Sequence, residues 1–287
     1  MPVLLDEVVR WLAPSPGAVF VDGTLGGGGH TRALAECVAP GGTIVSLDCD
    51  PKPAELARES LAELPVMVVS GNFADLPEIL AELGFAHVDG VILDLGLSSD
   101  QLADSQRGFS FDSDGPLDLR FDPTAGEPAW RLLGRLSAAH LADLIYQYGE
   151  ERYSRRIGRA VVERRRQGRP VQTAADLAAL VRRCVPRRGR ADRIDPATRT
   201  FQALRIAVND ELKALDIALR RIPACLREGG RMAVISFHSL EDRRVKTAFR
   251  DDPRVNVLTK RPIRPTEAEI AQNPRARSAK LRVAERL

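Results

Sequence analysis

The sequence predicts an α/β fold: a Rossmann-like sheet interrupted by an all-helical insertion. Three observations carry that expectation. Strand-like and helix-like patterns alternate from about residue 18 to residue 95. The first strand ends on an acidic residue and opens into four consecutive glycines, Gly26 to Gly29. Between about 130 and 195 the alternation stops and only helical periodicity remains. Strands alternating with helices mark a parallel sheet covered on its faces by helices.

In chain order, strands are expected near 18–22, 43–48, 66–70 and 89–95, with helices near 31–38, 53–63 and 75–83. Pro40-Gly-Gly42 and Gly71-Asn72 read as turns. From Gly96 to Ala129 the chain is irregular and rich in Gly, Ser, Asp and Pro, and so long a loop inside a compact domain is usually functional or disordered. The helical block carries apolar stripes at Leu141, Leu144, Ile145 and Tyr148, and at Ile157, Ala160 and Val161. A further helix starts at Thr173, with Asp176 three residues on, and carries Leu177, Leu180, Val181 and Cys184 on one side. The domains expected are therefore 1–129 joined to 196–287, and an inserted 130–195. One long helix is expected from Phe201 to Arg221, then a short helix closed by Gly229-Gly230. A strand at 231–236 and a closing strand pair at 254–260 and 280–286 follow.

The glycine run at the end of the first strand is where open α/β sheets hold nucleotide-like cofactors, because a backbone without Cβ atoms turns tightly and approaches a ligand closely. Gly26 and Gly28 fit the dinucleotide fingerprint, but Thr31 stands where its third glycine belongs. No Gly-Lys-Ser/Thr follows, which excludes a Walker phosphate loop. Asp48, closing the second strand, suits the ribose hydroxyls of NAD or S-adenosylmethionine equally. Asp22 separates them: a carboxylate is awkward beside a pyrophosphate and natural near a sulfonium cation.

Composition narrows the classes further. The 287 residues carry a net charge of +3, unevenly spread. Residues 1–150 hold 8 basic and 23 acidic groups, residues 151–199 hold 15 and 5, and residues 254–287 hold 9 and 3. Two basic blocks beside an acidic first half point to a nucleic-acid partner, with phosphate contacts expected from Arg155, Arg156, Arg159, Arg182, Arg183, Arg187 and Arg188. Arg164-Arg165-Arg166 alone reads as a solvated helical face. Cys37, Cys49, Cys184 and Cys225 are scattered, which fits reduced thiols in a cytoplasmic protein and offers no metal site. No apolar run is long enough to span a bilayer.

Several longer motifs are more specific. They are Val3-Leu-Leu-Asp-Glu7, the glycine loop, Asp94-Leu-Gly-Leu-Ser-Ser99, Arg107-Gly-Phe-Ser-Phe111 and Gly115-Pro-Leu-Asp-Leu-Arg120. Further along stand Tyr148-Gly-Glu-Glu-Arg152, Pro196-Ala-Thr-Arg-Thr-Phe-Gln-Ala203, Ser236-Phe-His-Ser-Leu-Glu-Asp-Arg243 and Asn273-Pro-Arg-Ala-Arg-Ser278. Together they resemble the bacterial small-subunit ribosomal RNA cytosine-N4 methyltransferases over essentially the whole chain. The resemblance implies an S-adenosylmethionine-dependent enzyme with a class I methyltransferase sheet and a helical substrate-recognition insertion. Its substrate would be a cytidine in the decoding region of 16S rRNA, free or in a small-subunit particle, and a homodimer is suggested. Cofactor contacts would fall on Gly28, Gly29, His30, Asp48, Phe73, Asp94 and Gln101, with Asp48 on the ribose and Phe73 on the adenine.

Asp94 and the Ser98-Ser99 loop are expected to position cofactor and base, and His238 to lie nearest the target base. A stacked base cannot present N4, so the target must be unpaired or flipped out. Three alternatives stand beside this reading. A DNA amino-methyltransferase would carry Pro-Pro-aromatic after Asp94, which is absent. A nicotinamide dehydrogenase would carry the third glycine. A catalytically silent RNA-binding assembly factor would not need the glycines, Asp48 and Asp94.

Overall fold

The computed structural model describes residues 1–186 and 195–287. They form two compact units, Met1–Leu97 with Leu212–Leu287, and Ser98–Glu211. The first unit opens with α1 (Leu5–Leu12), β1 (Val19–Asp22), α2 (Gly29–Val38), β2 (Thr43–Asp48), α3 (Pro51–Ser60), β3 (Val66–Ser70), α4 (Leu76–Glu82) and β4 (Val88–Asp94). The second unit contains α5 (Ser99–Ala103), α6 (Ala129–Arg135), α7 (Ala138–Gly149), α8 (Ser154–Arg166), α9 (Ala174–Cys184) and α10 (Thr198–Asn209). The chain returns through α11 (Glu211–Arg221), β5 (Leu226–Ser236), α12 (Ser239–Asp251), β6 (Val255–Val257), α13 (Glu267–Gln272) and β7 (Lys280–Arg286).

The seven strands form one sheet in the order β3-β2-β1-β4-β5-β7-β6. β1 to β5 pair in parallel, and β7 runs antiparallel to both β5 and β6. Side chains alternate between faces with the period of two that a strand imposes. Phe20, Ile44, Ile92, Ala233 and Ile235 pack with α1 and α2 on one face. Val21, Val45, Val91, Leu93 and Val234 pack with Leu76 and Leu80 of α4, Leu215 and Leu219 of α11, and Val245 and Phe249 of α12 on the other. Each of the Val, Leu, Ile and Phe side chains among them contributes about 1.5–3 kcal/mol by leaving water. The strand order reverses between β1 and β4, and crevices for ligands open at the carboxyl ends of strands at such a reversal.

Three local expectations are corrected, and the structure adds one helix. α1 is the addition: it is eight residues long, its start carries no capping side chain, and Asp6 and Glu7 in its first turn are the start signal it has. The long helix expected from Phe201 to Arg221 is two helices, because Asp210 turns left-handed (φ 51°). Asn209 explains the break, as its Oδ1 accepts the Phe121 N–H at 2.6 Å and its Nδ2 donates to the carbonyls of Leu119 and Arg205. Gly229 and Gly230 close no α-helix; they lie inside β5, whose register with β4 jumps between the Val88–Leu226 and Gly90–Arg231 pairs. The helical unit, finally, is wider at both ends than 130–195.

The wider boundary follows from how the 98–129 segment is tied down. Leu117 N–H donates to the Gln172 carbonyl at 2.7 Å, and the Phe111 ring meets Phe201 edge-on. The Arg107 guanidinium, buried beneath the loop, donates to the carbonyls of Arg120 and Phe121 at 2.8 and 2.7 Å. The two motifs starting at Arg107 and Gly115 are thus a clasp within the helical unit. Among the helices the expected stripes hold in part: Leu141, Ile145, Ile157, Val161, Leu177, Leu180, Val181 and Cys184 are buried, while Leu144, Tyr148 and Ala160 are half-buried. Thr173 caps α9 by accepting the Asp176 N–H.

Candidate active site

Three strand ends converge on the glycine bend. Gly23 N–H donates to the Ile92 carbonyl, Leu25 N–H to the Leu47 carbonyl, and Gly26 N–H to Asp48 Oδ2 at 2.8 Å. The loop leaving β1 is therefore sewn to β4 on one side and β2 on the other. Gly28 takes a left-handed conformation (φ 73°) immediately before α2, which costs a non-glycine residue strain.

Beneath the loop lies a chain of buried polar groups. Asp22, 1 % exposed, accepts the Thr24 N–H at 3.1 Å on Oδ1 and the Thr31 hydroxyl at 2.7 Å on Oδ2. The Thr31 oxygen is also 2.8 Å from the Ser46 hydroxyl, and the Thr24 hydroxyl accepts the Asp94 N–H at 2.6 Å. This network explains the departure from the dinucleotide fingerprint at Thr31. A glycine there would remove the hydroxyl that holds Asp22. The arrangement places Asp22 as an organiser of the bend, with its oxygens engaged from below.

Asp48 closes β2 with both oxygens engaged, Oδ2 to Gly26 N–H and Oδ1 to Asp50 N–H at 2.9 Å, while its own carbonyl accepts the Gly71 N–H. Each carboxylate oxygen accepts more than one hydrogen bond, so room remains for two hydroxyl donors. Burial pushes Asp48 up to about 6, the two backbone N–H donors pulling against it and Asp50 and Asp22 adding to the rise. Phe73 follows the β3 end in a short turn capped by Asn72 and is half-buried.

At the β1–β4 reversal, His30 in the first turn of α2 places Nε2 3.6 Å from Asp94 Oδ2. Burial pulls His30 down, but the Asp94 and Asp22 carboxylates outweigh it and leave it above its ordinary value. Asp22 itself is raised, by burial first, against the opposing pull of His30 and its hydrogen bonds. Both His30 ring nitrogens and Asp94 Oδ1 are buried without a hydrogen-bond partner among the described residues. Orphaned buried polar atoms at a strand-end crevice mark a place where a ligand completes the structure.

The donor set fits a cationic, hydroxyl-bearing nucleoside. Asp48 and Asp94 present acceptors, Phe73 presents an aromatic surface, and no Lys or Arg stands in the 22–30 loop to meet a pyrophosphate. Gly28, Gly29, His30, Asp48, Phe73 and Asp94 all lie on the first unit. Ser98 and Gln101 lie in the second unit and cap α5 reciprocally: Ser98 Oγ accepts the Gln101 N–H, and Gln101 Oε1 accepts the Ser98 N–H, each at 3.1 Å. Reasoning from sequence missed the Thr24–Asp22–Thr31–Ser46 network, although Thr31 in a glycine's place was its visible sign.

His238 has a local occupation. It is the N-cap of α12, its Nδ1 facing the Glu241 N–H at 3.4 Å and its Nε2 lying 3.0 Å from Glu241 Oε1. Glu241 in turn accepts the N–H groups of Phe237 and His238. That reciprocal cap accounts for the histidine within its own turn.

On the helical unit, Arg155, Arg156 and Arg159 are exposed along α8. Arg156, Arg159 and Arg166 line a shallow hollow of about 470 Å³ together with Glu163. Arg187 and Arg188 lie outside the described residues. The arginine triplet on α8 divides: Arg164 pairs with Asp176, Arg165 donates to the carbonyls of Leu133, Gly134 and Leu136 at the end of α6, and Arg166 stays exposed. Arg182 pairs with Asp195. A larger hollow, about 730 Å³, lies beside the residues preceding β4 and β5, at the sheet end opposite the bend. Among the described residues no helix is long and apolar enough to cross a membrane, and no cluster of His, Cys, Asp or Glu is placed to hold a metal.

Sheet order and strand-end site together define a class I methyltransferase that uses S-adenosylmethionine. A solved methylase from Clostridium thermocellum shares the fold at a TM-score of 0.50, with 12% identity over 100% of this chain and 99% of that one. The chain belongs to the MraW methylase family, whose profile matches residues 1–287. Among curated relatives, ribosomal RNA small subunit methyltransferase H of Thermomicrobium roseum is 49% identical over 100% of this chain and 93% of its own length. The protein of the same name from Cyanothece sp. is 50% identical over 100% and 94%.

Proposed function

We propose that this enzyme methylates the exocyclic N4 of one cytidine in the decoding region of small-subunit rRNA. The observation that supports the chemistry is a carboxylate on each strand flanking the glycine bend, Asp48 held by the Gly26 N–H and Asp94 lying 3.6 Å from His30 Nε2, a setting suited to a cationic methyl donor. S-Adenosylmethionine supplies an activated methyl group on a sulfonium. The protein's own task is placement, because in-line transfer to a weakly nucleophilic amine depends on the amine lying behind the methyl. Asp48 takes the ribose hydroxyls and Phe73 packs on the adenine. Asp94 accepts from the N4 hydrogens, so that the nitrogen lone pair leaves conjugation with the ring as it attacks.

The relatives' printed name, ribosomal RNA small subunit methyltransferase H, supports RNA as the substrate. The exposed arginines of α8 support phosphate contacts, which position a nucleic acid without reading its sequence. The missing Pro-Pro-aromatic after Asp94 disfavours DNA. Mass mapping of small-subunit rRNA from cells lacking this protein tests the proposal. One methyl should vanish from a single decoding-region cytidine and return with the wild-type gene but not with Asp94→Asn. An unchanged methylation map would refute the assignment.

A further inference from the structure

The basic carboxy-terminal block, residues 254–287, has no part in the site described so far, yet it touches the glycine bend through an intermediary. Glu269 of α13 accepts the Leu4 N–H at 2.8 Å, and Asn273, at the end of the same helix, donates from Nδ2 to the Met1 carbonyl at 3.2 Å. Val3 and Leu4 are buried in the same core cluster as Ala276, Ala279 and Leu281, and Leu4 takes a left-handed conformation (φ 53°) that redirects the chain into α1. Between these anchors sits Pro2. A Cβ added to Gly29 would lie 3.0–3.1 Å from three atoms of the Pro2 ring, so the ring is seated directly against that glycine. Gly29 is the first residue of α2 and is followed by His30.

We infer that α13 and the turn after it form a positioning clamp for the cofactor loop. Glu269 and Asn273 hold Met1–Leu4 so that the Pro2 ring backs Gly29 and fixes the start of α2. The clamp also carries charge on its outside. Arg264 and Arg277 are exposed within five residues of Glu269 and Asn273, and Lys260 and Arg261 are exposed further up the chain. Phosphates of an RNA chain gathered there load the same segment that steadies Gly29, so RNA binding and cofactor retention are coupled. Coupling of this kind is reciprocal: whatever factor RNA adds to cofactor affinity, cofactor adds to RNA affinity. The RNA half of the inference rests on the proposed substrate class; the clamp itself rests only on the cofactor.

Calorimetry on the full chain tests the clamp with S-adenosylmethionine and its demethylated product as probes, with no RNA present. Glu269→Ala should weaken both by about tenfold, the worth of one charge-assisted hydrogen bond, and Glu269→Gln, which keeps an acceptor, should recover most of the loss. Pro2→Gly removes the ring without touching α13 and should weaken binding in the same direction. Hydrogen exchange at Gly28 and Gly29 should quicken in Glu269→Ala and Pro2→Gly. Wild-type affinity and exchange in both would overturn the clamp, whereas no cofactor binding by the wild type would instead sink the methyltransferase reading. Adding a small-subunit rRNA fragment should tighten cofactor binding by about fivefold in the wild type and not in Glu269→Ala or Arg264→Ala/Arg277→Ala. Equal tightening in all three proteins would overturn the coupling.

Discussion

At the carboxyl ends of β1 and β2 Asp22 and Asp48 are buried, as is His30 in the first turn of α2, and the two carboxylates are gripped by backbone N–H groups. On α8 of the helical unit, Arg155, Arg156 and Arg159 stand in solvent. The first region holds charge in a low-dielectric setting where it is costly and directional; the second holds charge in water, where it is cheap and long-ranged. Under the proposed function the two regions would do different work: geometry and proton balance at the strand ends, attraction of a polyanion along the helix.

Substitution at the strand ends should produce the largest changes. Asp94→Asn should lower the single-turnover methylation rate by about a hundredfold or more with cofactor affinity less affected, if Asp94 acts on the reacting amine. Ser98→Ala separates the roles assigned jointly to this loop, since its hydroxyl caps α5. Full rates in both variants would remove these residues from the chemistry. Asp48→Ala should weaken S-adenosylmethionine by about a hundredfold in calorimetry, because two hydroxyl donors lose an ionised acceptor.

The pH dependence sharpens the contrast further. If, as proposed, ribose hydroxyls donate to an ionised Asp48, binding should draw its pKa down and release a proton. With the free group near 6, affinity should be about tenfold weaker at pH 5 than at pH 8, levelling off above neutrality. The sign for stability is the reverse. The folded value lies above the unfolded 3.8, so the contribution is full below 3.8 and is lost as pH rises through about 6. The loss is about 3 kcal/mol, an expense of keeping a buried anion ready for its ligand. Denaturation of the free protein and of Asp48→Asn at pH 4 and pH 8 checks it, the difference between the two proteins isolating Asp48 from the other titrating groups.

On α8 the effects should be smaller and of another kind. Arg155→Ala, Arg156→Ala and Arg159→Ala together should lower the slope of log RNA affinity against log salt by about 2 and leave cofactor binding untouched. An unaltered slope would move the docking surface elsewhere. Within the arginine triplet, Arg165→Ala should destabilise the fold by about 1–2 kcal/mol by uncapping the end of α6, while Arg166→Ala should be silent in the same denaturation experiment.

The two regions also differed in how far the amino-acid order revealed them. The glycine bend and the acidic strand ends were legible because each is a contiguous pattern: an apolar run, a carboxylate, then a breaker. The approach of His30 to Asp94 was not, because it depends on β4 pairing beside β1, a neighbour 70 residues away in the chain. Helix faces on the inserted unit followed their 3.6-residue period, but its limits did not. The Arg107 clasp and the Asn209 break are made by side chains reaching distant carbonyls, and composition is blind to that. Arg164-Arg165-Arg166 misled for the same reason, since three adjacent identical residues on a helix point three ways.

One consequence of the Asp48 arrangement reaches beyond this molecule. The anion proposed to meet the sugar is also the latch of the turn, tied to Gly26 N–H by one oxygen and to Asp50 N–H by the other. Sugar preference and loop shape are therefore inherited as one trait. A lineage that changed its nucleoside by altering this aspartate would have to rebuild the bend at the same time, which leaves the donor far harder to exchange than the acceptor.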